Sequence, residues 1–191
     1  MSNLSRCEWS QNHPIYVEYH DTEWGVPVHD DRKQFEFLVL ESAQAGLSWL
    51  TILKRREGYG RLYSGFNVEK VARFDETRVT EMLQDPGIIR NRKKVEASIN
   101  NAQRFLEICE SHGSFSNYLR GFNEGKQVVN RFNQLSEIPA TSALSDTISK
   151  DLKQRGFKFV GSTIIYAHLQ ATGLVNDHLV DCFRYHQCKD L

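Results

Sequence analysis

The chain has 191 residues, with 24 Lys plus Arg balanced by 24 Asp plus Glu and a hydrophobic share of 40%. At ~100–200 residues per domain this suits a single domain over 1–191, and 12 Gly with 4 Pro are too few for a collagenous or linker-rich chain. The neutral balance excludes a protein-wide positive field of the kind that drives non-specific nucleic-acid binding, so any phosphate contact must be local. No apolar run approaches the ~18–20 residues of a membrane span, and Arg6 and Glu8 stand where a signal peptide needs apolar residues. Four cysteines, Cys7, Cys109, Cys182 and Cys188, are too sparse for a secreted disulfide framework. They point to a reducing compartment, the cytoplasm, where Cys near His favours a metal.

Helical periodicity dominates and alternating strand patterns are nearly absent, which predicts an all-α fold. Between Arg32 and Ala45 the residues Phe35, Leu38, Val39 and Ser42 recur at helical steps. Gly46 interrupts, and Trp49, Ile52 and Leu53 resume the pattern. Asn67 and Asp75 can each cap a short helix, because their side-chain oxygens accept from unpaired first-turn N–H groups. The turn Asp85-Pro86-Gly87 ends the second of these. Val95, Ile99, Ala102, Leu106 and Cys109 mark a long amphipathic helix. From His112 to Pro139 the sequence predicts only irregular helix and loop. Helices follow at Ala143–Arg155, stopped by Gly156, and at Gly161–Thr172, stopped by Gly173. A last short helix is expected over Asp177–Phe183.

Three constellations carry chemistry. In His178-Leu-Val-Asp-Cys182 a helical step would bring two potential zinc ligands onto one face, and Cys7 with His20 could complete a Cys2His2 set. The alternatives are ordinary buried thiols and histidines, or His186 and Cys188 as rival ligands. Four protein ligands would leave no position for an activated water, making such a metal structural. The second is Leu83–Lys94, where a short helix, a Pro-Gly turn and a basic helix start resemble a helix-hairpin-helix element. There Gly87, Arg90, Asn91, Arg92, Lys93 and Lys94 would meet a DNA phosphate. Ile89 stands where a second hairpin glycine is usual, and an ordinary pair of antiparallel helices is the competing reading. The third combines Tyr16, Tyr19, Trp24 and Trp49 with Glu41. Rings stack on an extruded base while a carboxylate accepts its N–H groups and favours positive charge on it. Core packing explains any single ring, but a carboxylate among apolar helix positions needs a partner, and a ligand could be one.

The segments His20-Asp-Thr-Glu-Trp24-Gly-Val-Pro27, Glu41-Ser-Ala-Gln-Ala-Gly46-Leu-Ser-Trp49, Gly87-Ile-Ile-Arg90, Arg155-Gly-Phe-Lys-Phe-Val-Gly161-Ser-Thr and Asn176-Asp-His178 together resemble the bacterial 3-methyladenine DNA glycosylase I family. The likeness runs from about Cys7 to Cys182, and its specificity lies in the shared order and spacing of the motifs. The resemblance implies an all-α helix-hairpin-helix DNA glycosylase fold whose terminal segments are joined by a structural zinc on Cys7, His20, His178 and Cys182. It further implies a base-excision repair enzyme acting on double-stranded alkylated DNA. Glu41 would recognise 3-methyladenine, Trp49 and Tyr16 would stack on or enclose it, and Tyr19 and Trp24 would line the pocket. Ala45, Gly46 and Leu47 match the family's loop that enters the duplex.

Many helix-hairpin-helix glycosylases place an Asp after the hairpin, yet no Asp occurs between Pro86 and Leu144. A Lys that starts a phosphate-gripping helix is more simply a charge partner than a Schiff-base amine. The expectation is therefore a monofunctional glycosylase without lyase activity, in which Glu41 acts by recognition and electrostatics. The rival reading is a non-catalytic, zinc-stapled DNA-binding module. A zinc hydrolase is disfavoured by the closed ligand set. A monomer is expected, since nothing in the sequence requires a partner.

Overall fold

The computed structural model describes residues 4–189. Its first helix, α1 (Pro14–Thr22), opens with Pro at its first turn and with His13 accepting from the Ile15 N–H. In α2 (Asp31–Gln44), Asp30 caps the Lys33 N–H and every residue from Phe37 to Ala43 is buried. The break after α2 falls at Gly46, where φ is 80°, and Ser48 then caps α3 (Trp49–Leu53). Next come α4 (Arg56–Leu62), α5 (Val68–Val71), capped by Asn67, and α6 (Glu76–Gln84), capped by Asp75. Both caps stand where the sequence puts them.

The long helix α7 (Arg92–His112) is capped by Asn91 and buries Val95, Ile99, Ala102, Phe105 and Ile108 along one face. After α8 (Phe115–Gly121) the chain forms β1 (Val128–Val129), then α9 (Ala143–Gln154), α10 (Ser162–Ala171), β2 (Val175–Asn176) and α11 (Arg184–Gln187). Ser142 and Ser145 cap one another's backbone at the start of α9. Central α2 packs against α7, α8 and α10, and α10 packs against α9.

The structure departs from the sequence reading at two points. β1 and β2 pair in parallel, Val128 with Val175 and Val129 with Asn176, so the fold is predominantly helical with one minimal ladder. The helix expected over Asp177–Phe183 is absent. Its backbone donors are claimed elsewhere: the Asn176 side chain accepts from His178 N–H, Cys7 Sγ from Leu179 N–H and the Phe132 carbonyl from Val180 N–H. The two distant partners, Cys7 and Phe132, outcompete the local 3.6-residue pattern, and a short helix forms only after this segment, as α11. Helices α1, α4 and α8 carry too little apolar periodicity to be anticipated.

Two apolar clusters result. The larger surrounds α2, α7 and α10, while the smaller joins Cys7, Tyr19, Trp24, Phe37, Leu53, Ala171, Leu179 and Cys182 from both ends of the chain. Trp49 and Ile138 pack against both. Arg56 of α4 locks the corner, reaching Glu23 after α1 at 2.6 Å and Glu36 on α2 at 2.7 Å. No helix among the described residues is long and apolar enough to cross a membrane.

The α6–α7 connection lies against α4 so closely that a Cβ at Gly58 would overlap the Gly87 carbonyl. Gly58→Ala is expected to cost about 1–3 kcal/mol through overpacking against backbone that cannot rotate away. Urea denaturation compared with Gly60→Ala, where a Cβ meets only the Phe66 ring at ordinary contact distance, would check this.

Candidate functional site

The segments on either side of the helical core bring four ligating side chains together. Cys7, His20, His178 and Cys182 are all buried, and their donor atoms lie within 4.8 Å of one another. A tetrahedral metal with bonds of about 2.3 Å to sulfur and about 2.0–2.1 Å to nitrogen requires S···N separations of about 3.6 Å. The three closest pairs stand at 3.4 Å (Cys182 Sγ to His20 Nε2), 3.6 Å (Cys182 Sγ to His178 Nδ1) and 3.7 Å (Cys7 Sγ to His178 Nδ1). Each imidazole is oriented through its other nitrogen, His20 Nδ1 by Asp21 at 2.8 Å and His178 Nε2 by the Trp24 carbonyl at 3.0 Å. The Cys7 thiol, then the two imidazoles, pull the Cys182 thiol far below its ordinary pKa. The donor set and spacing fit a metal. His178 and Cys182 reach it from an irregular turn and not from the helix face the sequence suggested. Cys188 is buried beside the Trp24 carbonyl and His186 is exposed; neither belongs to the cluster.

The cluster shares a wall with an aromatic-lined cavity. The Trp24 ring lies 4.5 Å from that of His178 and 5.1 Å from that of Trp9, both edge-on. The cavity, of about 290 Å³, is lined by Trp9, Tyr19, Trp24, Glu41, Gln44 and Trp49 on one side. Leu135, Ile138, Pro139 and Ala140, with a face of α10 comprising Thr163, Tyr166, Ala167 and Gln170, complete it. It continues along Glu41 and Gln44 to the exposed turn Ala45-Gly46-Leu47, where Leu47 keeps 40% of its surface in solvent.

Glu41 is the one carboxylate among the lining residues. Only 4% of it is exposed, and burial pushes its carboxyl up to about 8. No hydrogen bond from a described residue offsets that cost. The buried indole N–H of Trp49 likewise has no partner. A ligand in the aromatic pocket would offer partners to both the Glu41 carboxyl and the Trp49 indole N–H.

Of the residues expected to enclose a base, Tyr19, Trp24, Glu41 and Trp49 converge, but Tyr16 does not line the cavity. Its hydroxyl accepts the Leu50 N–H at 2.9 Å and its ring meets Trp9 edge-on, so it holds the first turn of α3. Trp9 takes the place beside the pocket. Tyr166 and Gln170 also escaped the sequence reading, although with Thr163 they form a helical stripe on α10. Both donate to the buried Asp177 carboxylate, at 2.5 and 2.7 Å, while Asn130 donates to its other oxygen at 2.7 Å. Leu135 and Ile138 lie in the stretch where no periodic signal exists.

At the α6–α7 connection Arg90 and Lys93 are exposed and form no ion pair among the described residues, whereas Arg92 pairs with Glu76 at 2.6 Å. Gly87 N–H donates to Asp85, Ile89 N–H to the Tyr59 hydroxyl, and Asn91 caps α7. The Lys94 ammonium turns inward onto the carbonyls of Ala43 and Ala45. The basic run is thus divided between solvent and internal partners.

The methyladenine glycosylase family model matches residues 9–185. The chain belongs to the methyladenine glycosylase family. Membership makes it an enzyme that hydrolyses an N-glycosidic bond. It is 47% identical over 182 residues to DNA-3-methyladenine glycosylase 1 of Escherichia coli, covering 95% of this chain and 97% of that protein. The Haemophilus influenzae DNA-3-methyladenine glycosylase is 42% identical, over 93% and 96% of the two chains. A crystal structure of 3-methyladenine DNA glycosylase I superposes with a TM-score of 0.90 at 46% identity, over 94% of this chain and 98% of that one. A Staphylococcus aureus structure described as the basis of 3-methyladenine recognition gives 0.90 at 39% identity, over 94% and 96%. In this family member, the N-terminal segment, the central helix α2 and α10 all contribute to the pocket.

Glu41 binds its proton more tightly in the folded protein. Its contribution to stability is therefore full below the ordinary 4.5 and lost as pH rises through about 8. Glu41→Gln removes that loss. Its melting temperature should exceed that of the wild type by a margin that widens across this range, reaching on the order of several °C; a pH-independent margin would refute the shift.

Proposed function

We propose that this glycosylase flips 3-methyladenine out of alkylated duplex DNA and releases it by hydrolysis, without lyase activity. The observation that carries the reading is the Glu41 carboxyl, buried and without a protein hydrogen bond, in the wall of an aromatic cavity. Methylation at N3 gives the adenine a positive charge. An ionised carboxylate in a dry pocket attracts that charge and accepts ring or exocyclic N–H groups, while Trp24, Tyr19 and Trp49 offer faces and edges to the flat base. Glu41 is recovered from its raised pKa as the cation enters. The close relatives are themselves DNA-3-methyladenine glycosylases, and one matching structure is described as a complex with 3-methyladenine.

The chemistry asks little more of the protein. The cationic base departs neutral, so its glycosidic bond is already weak, and water attacks the sugar carbon as the base leaves. No second carboxylate lines the pocket to act as a general base, and no lysine lines it to form a Schiff base. The basic α6–α7 connection is read as a helix-hairpin-helix grip in which Arg90 and Lys93 meet phosphate, with Leu47 entering the duplex beside the lesion. Cys7, His20, His178 and Cys182 would hold a structural zinc that ties the two ends of the chain and leaves no open coordination position. The enzyme is read as a cytoplasmic monomer. The alternative of a non-catalytic DNA-binding module leaves Glu41 without a purpose.

Chromatography of bases released from methylated duplex DNA tests this directly. Wild type should release 3-methyladenine, and Glu41→Gln at matched zinc content should be slower by about a hundredfold or more, the scale of losing one electrostatic contact to a developing charge change. Equal release by the variant removes Glu41 from the mechanism, and no release by folded wild type favours the binding module. Atomic absorption should find about one zinc per chain on four such ligands. Cys182→Ala should lower the melting temperature much more than it lowers the excision rate of protein that stays folded. Metal-free wild type purified without chelator would be the contrary result.

A further inference from the structure

Helix α2 ends where the base pocket meets the exposed Ala45-Gly46-Leu47 turn, and its last carbonyls need donors that the helix cannot supply. Leu47 N–H reaches the Gln44 carbonyl at 2.6 Å. The Lys94 ammonium, from the first turn of α7, donates to the Ala43 carbonyl at 2.8 Å and the Ala45 carbonyl at 2.7 Å. Glu41 lies just upstream of these two residues and Leu47 just downstream. Ala45 has already left helical geometry, with φ −43° and ψ 114°, and nothing within 4 Å of a built Cβ supports Gly46 from outside. The lysine therefore holds a turn that is open to solvent at Gly46 and Leu47.

Lys94 differs from its neighbours in the basic run. Arg90, Arg92 and Lys93 are exposed, while Lys94 is half-buried and has no carboxylate partner among the described residues. Burial lowers its pKa, so the carbonyl dipoles are what retain the charge, and a cation suits the negative end of α2. With two of its three N–H donors committed, it is poorly disposed as a phosphate contact.

We propose that Lys94 is a positioning residue that locks the end of the Glu41 helix and the Leu47 turn to the α6–α7 connection. A backbone gripped at Arg90 and Lys93 is thereby held in register with the residue that enters the duplex and the residue that meets the base. The inference rests on the glycosylase reading for its consequence, but its structural content can be measured without DNA.

Lys94→Met keeps the aliphatic stem and removes the donors, and Lys94→Arg restores a cation. In the free proteins, amide hydrogen exchange over residues 44–49 should quicken about fivefold or more in K94M as local opening becomes easier, and return toward wild type in K94R. Unchanged exchange overturns the proposal. On methylated duplex, single-turnover excision by K94M should fall about tenfold or more through misplacement, while duplex affinity and its salt dependence persist and K94R recovers part of the rate. A salt slope reduced by about one would instead make Lys94 a phosphate contact. A parallel fall in thermal stability and free 3-methyladenine affinity, with no recovery in K94R, would make its role merely structural. Both results overturn the proposal. Wild-type base release is the separate control: its failure would sink the glycosylase reading, and hydrogen exchange would still decide the positioning role.

Discussion

The buried carboxyl of Glu41 is the constraint around which the fold is arranged. Removing an ionisable oxygen pair from water without a hydrogen-bonding partner is unfavourable, and a chain free to relax would rotate it into solvent. It is held in place because α2 is buried continuously from Phe37 to Ala43, with Phe37, Leu38 and Leu40 each essentially inaccessible. The rest of the core thus supports one destabilising group. An unfavourable group of this kind is tolerated where the missing partner is a ligand, since the same desolvation that raises the carboxyl's pKa strengthens its attraction for a cation.

The two ends of the chain finish what α2 begins. Tyr19 and His20 are neighbours on α1, yet one faces the pocket and the other the Cys/His cluster, so a single helix carries a residue of each. Trp24 stands between the two, contacting His178 on one side and Trp9 on the other. Cross-links reinforce the closure: Phe183 N–H donates to the Ser5 carbonyl at 2.9 Å, and Arg6 pairs with Asp21 at 2.8 Å. Asp21 in turn orients His20. Opposite, Asp177 gathers Tyr166 and Gln170 of α10 and Asn130 of the loop after β1. Its neighbour His178 belongs to the cluster, which brings both walls of the cavity close to the same terminal segment.

Local chemistry was legible wherever a single element determines it. Asn67 and Asp75 cap the helices their side chains suit, and the predicted stripe finds the buried face of α7 at Val95, Ile99 and Ala102, whereas further on Phe105 and Ile108 are buried in place of the half-buried Leu106 and Cys109. Glu41 stood out because a carboxylate among apolar helix positions violates the pattern of its surroundings. Which way Tyr16 points was not legible, because ring type and proximity to the motif say nothing of direction; its hydroxyl accepts the Leu50 N–H. The inward direction of the Lys94 ammonium was hidden for the same reason, since a place in a basic run does not reveal it.

The sequence by itself determined the predominance of helix, the Asn67 and Asp75 caps and the anomalous carboxylate, because each is written in short-range periodicity or in residue type, and it supplied the Cys and His candidates without choosing among them. Tertiary structure alone decided that Trp9, Leu135 and Tyr166 share a cavity and that β1 pairs with β2, since their partners lie far along the chain. It also decided that the His178–Cys182 segment forgoes a helix. There the backbone donors find Cys7 and Phe132, and contacts across the molecule outweigh a local preference worth only fractions of a kcal/mol, ~0.7 at most, per ordinary residue.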